Sequence, residues 1–80
     1  MKCKVETVNL VDSINGDGHK IEDVDRVHKL AILSTAVEKF FQENSTAKAE
    51  WHQTNAVEAM ANWAGGRMAF STTITVILTA

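Results

Sequence analysis

From Met68 to Thr79 the chain alternates almost without exception. Met68, Phe70, Thr72, Ile74, Val76 and Leu78 share one parity. Ala69, Ser71, Thr73, Thr75, Ile77 and Thr79 share the other. Successive side chains of a strand point to opposite faces, so this pattern describes a sheet with one apolar face and one threonine-rich face. A strand needs partners for its backbone N–H and C=O groups, and an apolar face needs a cover. The rest of the chain must supply both. The alternation predicts a strand over residues 68–80, and its regular apolar character places it in the middle of the sheet.

Two segments can flank it. Residues 2–11 carry the β-formers Val5, Val8, Leu10 and Val11, with a break in alternation between Val5 and Val8 that predicts a bulge or an early end of pairing. The run Asp12 to Gly18 (DSINGDG) is a turn signal, dense in Asx and glycine. Residues 47–66 carry two patterns. Trp51, Gln53, Asn55 and Val57 alternate with His52, Thr54, Ala56 and Glu58. The stripe Ala56, Val57, Met60, Ala61 and Ala64 instead suits a helix stopped by Gly65-Gly66. The assignment adopted is a strand over 48–58, then a loop or short helical turn to Gly66.

Between these lies the cover. Val24, Val27, Leu30, Ala31, Leu33, Val37, Phe40 and Phe41 recur at three- and four-residue spacing, which predicts an amphipathic helix over 20–43. Glu22, Asp23 and Asp25 would occupy its first turns, where the helix dipole favours negative charge, with Glu22–Arg26 and Asp25–Lys29 as i,i+4 pairs. Asn44 and Ser45 would end it. The expectation is a single α+β domain over residues 1–80 with element order β-α-β-β. Its three-stranded sheet has order 2-3-1, the first two strands are parallel, and one long helix packs on one face. A helix of that extent is about 36 Å long and a strand of ten or eleven residues about 35 Å, so the helix could run the length of the sheet.

The 80 residues are 45% hydrophobic and 22% charged, ordinary for a globular domain. Cys3 is the only cysteine, so no intrachain disulfide can form, and a reducing, cytoplasmic location is expected. No signal peptide is read at the N-terminus, and no apolar run is long enough to span a bilayer, so no membrane contact is expected. The net charge of −2 disfavours a nucleic-acid partner.

No chemical motif emerges. His19 and His28 stand nine residues apart, and neither CxxC nor HExxH occurs, so no metal site is expected. An EF-hand register through SINGDG puts Ser13 first and Val24 last, where Asp and Glu are required. Cys3 reads as a small core residue rather than a nucleophile. The glycine-bearing turn is flanked by Asp12, Asp17, Glu22 and Asp23, which would repel a phosphate. The expectation is therefore no catalytic residue, no cofactor and no enzyme.

Two features point to contact instead. Trp63 and Arg67 bracket Gly65-Gly66 at the tip of a hairpin, and tryptophan and arginine dominate binding hot spots; alternatively Trp63 folds back as a lid on the helix end. One helix covers one face of a sheet only, which leaves Ile77 and Ala69 on the other, and Ile32 falls on the polar side of the helix. Trp63, Arg67, Ile77 and Ile32 are the candidate partner-binding residues. They suit a protein-binding domain that self-associates, of the size of the inhibitors and adaptors that phages and mobile elements encode.

The β-α-β-β order and the length resemble those of the dodecins, small flavin-storing oligomers, as an analogy of architecture alone. That resemblance implies a flavin stacked on Trp51 as the alternative function. A further alternative is nucleic-acid binding through Lys2, Lys4, Lys48 and Arg67.

Overall fold

The computed structural model describes the backbone of residues 2–60 and 67–80, and the side chains of residues 2–57 and 68–80. The elements are β1 (Cys3–Ile14), β2 (Lys20–Ile21), α1 (Arg26–Glu43), β3 (Lys48–Met60) and β4 (Arg67–Thr79). The class is α+β, with one helix on a four-stranded antiparallel sheet of order β2-β1-β4-β3. The expected three strands are thus corrected to four. The extra one, β2, pairs Ile21 with Ser13 and Lys20 with Ile14.

β4 lies between the other two long strands and is antiparallel to both, so β1 and β3 run parallel to each other. Its register with β1 is unbroken from Cys3↔Thr79 to Ile14↔Met68, so the expected bulge or early end near Val5 is absent. The break in alternation has a simpler cause: β1 carries apolar residues on both faces. Val8 and Leu10 share the parity that faces the helix, while Val5 and Val11 share the other and are exposed.

The turn sits where DSINGDG predicted one, but later in that run. β1 continues to Ile14, then the Gly18 N–H bonds the Asn15 carbonyl and the Asn15 N–H bonds the His19 carbonyl. Gly18 has φ +87°, a left-handed conformation that glycine adopts without a Cβ penalty.

The helix is shorter than its pattern. Its 18 residues start at Arg26, not residue 20. Val24 and Val27, which extended the apparent stripe, are 91% and 83% exposed. The acidic residues before it do other work. The Asp23 carboxylate accepts the Val11 N–H (2.9 Å), the Asp25 N–H (2.9 Å) and the Lys29 Nζ (2.7 Å), and the Asp23 N–H donates to Asp12 Oδ1 (2.9 Å). Arg26 pairs with Asp12 at 3.8 Å and Lys29 with Asp23, in place of the expected i,i+4 pairs. This junction ties the helix start to the edge of β1. The Lys29 side chain holds the Asp23 carboxyl well below its usual range, at about 2, and the two backbone donors add to the effect.

Eighteen helical residues span about 27 Å, whereas the thirteen of β3 span about 44 Å. The helix therefore cannot run the length of the sheet. It lies along β1, and Leu33 and Phe40 reach over to Val76 and Leu78 of β4, both fully buried. Val8, Val37, Ala47, Ala49, Ile74 and Ala80 pack around that cluster. Among the described residues the fully covered core is small: Leu10, Leu33, Phe40, Val76 and Leu78. The molecule is correspondingly long, 54 × 18 × 12 Å, with a Cα radius of gyration of 16.6 Å against about 11.6 Å for a compact chain of this length.

Candidate functional site: an uncovered edge and groove

β3 is the outer strand of the sheet on the side the helix does not reach. Its register with β4 runs from Lys48↔Thr79 to Met60↔Arg67 without interruption. Residues 50–57 are all exposed. The parity shared with Val76 and Ile74, and hence the helix side, carries Trp51, Gln53, Asn55 and Val57. Trp51 is 54% and Val57 59% exposed. Such exposure of a strand's inner face follows from the placement of α1 over β1. The helix and this bare strip bound an open groove of about 380 Å³, whose walls include Leu30, Leu33, Val37, Trp51 and Ile74. Its lining is mostly aliphatic and aromatic, with Ser34 and Glu38 as the polar members.

The backbone along β3 is equally open. Reciprocal bonds join Lys2 and Ala80, so even-numbered residues of β4 face β1 and odd-numbered ones face β3. The alternation then turns the N–H and C=O groups of Ala49, Trp51, Gln53, Asn55 and Val57 outward.

The opposite edge is treated differently. Along β1 the Asn9 carbonyl accepts the Lys29 Nζ (2.8 Å), the Val11 N–H is taken by Asp23, and β2 covers Ser13 and Ile14. Natural proteins blunt sheet edges with charges, proline, bulges or short extra strands, and this chain applies two of those devices to β1. On β3 it applies few. There is no proline in the chain, no bulge interrupts the β3 register, and Glu50 is the only acidic or basic residue between Ala49 and Val57 apart from His52. Glu50 and His52 face each other at 3.5 Å on the far side of the sheet.

Of the four residues chosen from sequence, Ile32 and Ile77 have described side chains. Trp63 lies outside the described residues, and of Arg67 only the backbone is described, as the first residue of β4 opposite Met60. Ile77 sits on the face away from the helix, half-buried between Val5 and Glu50. Ile32 is 53% exposed over the outer side of β1, beside Thr7, Val8 and Lys29. Ile32 and Ile77 are thus on opposite sides of the sheet. Cys3, expected in the core, is exposed, because its parity is that of Val5 and Thr7.

The face away from the helix is polar where it is best ordered by contacts. Thr7 and Thr75 hydroxyls lie 3.2 Å apart, and the Ser71 hydroxyl donates to Asn9 Oδ1 at 2.8 Å. Sequence reasoning noticed Trp51 but not Ile74 or Val37 as its neighbours. The signal was the mismatch of helix and strand lengths, hidden by Val24 and Val27.

Among the described residues, no group of three or more His, Cys, Asp and Glu side chains is placed to hold a metal, and no helix is long and apolar enough to cross a membrane. No family model matches the chain, and neither a curated protein nor a solved structure is significantly similar to it.

Proposed function

We propose that this chain is a non-enzymatic protein-binding domain that works through the exposed strip of β3 and the groove beside it. The observation that carries the reading is the half-exposed Trp51 on the inner face of an open strand. Aromatic anchors in apolar clefts supply most of the affinity in protein interfaces, and an open strand edge adds main-chain hydrogen bonds. A groove lined almost wholly by aliphatic carbon and one indole offers few groups for acid–base or nucleophilic chemistry.

The test uses the tagged full chain as bait in extract of its native host, beside a Trp51→Lys variant. The expected result is a protein retained in stoichiometric amount by the parent and lost from the variant. Equal retention by both would remove the groove from the reading. The flavin alternative uses the same tryptophan, and it predicts that the purified chain quenches flavin fluorescence; unquenched flavin leaves protein as the ligand.

A further inference from the structure

Resting on that reading, we infer that the occupant of the β3 edge is a second copy of this chain, paired antiparallel to the first about a two-fold axis at Gln53. Three observations point to self-pairing. The first is area. The chain exposes 5795 Å², whereas a folded monomer of 8.8 kDa exposes about 4,800 Å². The excess of about 1,000 Å² is close to the roughly 800 Å² each partner contributes to a standard interface. On the β3 side of the sheet, Trp51, Val57 and Met68 are among the exposed large apolar residues.

The second is the asymmetry of the two sheet edges. One is closed from Asn9 to Ile14 by Lys29, Asp23 and β2; the other is a strand of thirteen residues with none of those closures among the described residues. An identical copy presents an edge of identical length and twist, and a two-fold axis lets the same groups serve on both sides.

The third is register. Only registers that place outward residues opposite outward residues let both chains bond, so the axis moves in whole-residue steps. With Gln53 opposite its own copy, Trp51 meets Asn55, Ala49 meets Val57, Glu50 meets Ala56 and His52 meets Thr54. Lys48 falls opposite position 58, a glutamate, which gives opposite charges at both ends. Moving the axis one step towards Met60 sets Glu50 opposite Glu58 twice, a repulsive pairing. Moving it towards Trp51 shortens the overlap. The Gln53 register yields roughly ten new backbone hydrogen bonds, the number a standard interface carries. It joins two four-stranded sheets into one continuous sheet, with both helices on one face and the two grooves facing each other across the seam.

Proline at position 53 removes an outward N–H and leaves the bonds to β4 in place, so Gln53→Pro cuts the seam while preserving the subunit. Sedimentation equilibrium on the full chain should give twice 8.8 kDa for the parent and 8.8 kDa for Gln53→Pro. A second variant covers a fold-breaking proline. Across the axis the two Cα atoms at position 53 would stand about 5.5 Å apart, within disulfide reach. Gln53→Cys in a Cys3→Ser background should therefore cross-link under mild oxidation, while the parent, whose Cys3 lies two strands away on β1, should not. A parent that stays at the chain mass at hundreds of micromolar overturns the inference. So does a dimer that persists in Gln53→Pro and leaves the introduced thiol free. A monomeric chain that still retains a host protein through Trp51 overturns the second copy and spares the protein-binding reading; loss of both removes both.

Discussion

Phe40 and Phe41 are neighbours in sequence and opposites in environment, which makes them a matched pair for testing how the helix is held. Phe40 is 8% exposed and belongs to the cluster with Leu33, Val76 and Leu78; Phe41 is 43% exposed. Removing a buried phenylalanine costs about 3–5 kcal/mol in lost transfer energy and cavity. A domain of 80 residues has a total stability of about 4–12 kcal/mol. Phe40→Ala should therefore take away a quarter or more of the stability, and lower Tm by at least about 12 °C. Phe41→Ala should cost about 1 kcal/mol or less. The assay is urea unfolding followed by far-ultraviolet circular dichroism at one fixed protein concentration, because self-association makes stability concentration-dependent. Leu33 and Phe40 are the two buried residues of α1, so Phe40 supplies a large share of the packing that holds the helix on the sheet. Equal costs for the two variants would refute the placement of the helix, as would a loss at Phe40 under about 1 kcal/mol.

Three further outcomes follow from the junction, the turn and the strand edge. Asp23 has a folded pKa depressed from 3.8 to about 2, so its contribution is fully present above about pH 4 and disappears as pH falls towards 2; the thermal midpoint of the parent should drop more steeply across that window than that of Asp23→Asn. Gly18→Ala should cost about 1–2 kcal/mol by thermal melting, because φ is +87° while no atom stands within 4 Å of the added Cβ; a neutral result would mean that the turn relaxes. Val27→Lys, at a site 83% exposed, should leave the unfolding free energy from urea titration within about 0.5 kcal/mol of the parent, whereas a helix stripe that buried Val27 would make the loss severe.

What sequence could reveal depended on whether the deciding partner was near or far along the chain. β4 was legible from Met68 to Thr79 because its two faces meet different surroundings at every step. The second flanking strand was half-legible: Ala56, Val57 and Met60 fall at helical spacing, and pairing with β4 over the whole of Lys48–Met60 overrides that pattern. The helix start was misread because Asp23 answers to Val11, twelve residues earlier, and not to its helical neighbours. A run of acidic residues before a helix looks the same in sequence whether it serves the dipole or closes a sheet edge. Trp51 could be placed on a strand from sequence, but its exposure could not, since that depends on a helix some 17 Å shorter than the strand it partly covers. Ile32 and Ile77 were selected as single apolar residues on polar faces, which are common and carry little information.

Amide hydrogen exchange along β3, followed residue by residue as the protein is diluted, probes the open edge most directly. His52, Thr54 and Ala56 bond inward to β4 and should stay protected at every concentration. Trp51, Gln53 and Asn55 should exchange fast in dilute protein and gain protection together as it is concentrated. Uniform protection of all six amides in dilute protein, or outward amides that exchange freely at every concentration, would contradict an edge left open by its own chain and closed by a second one.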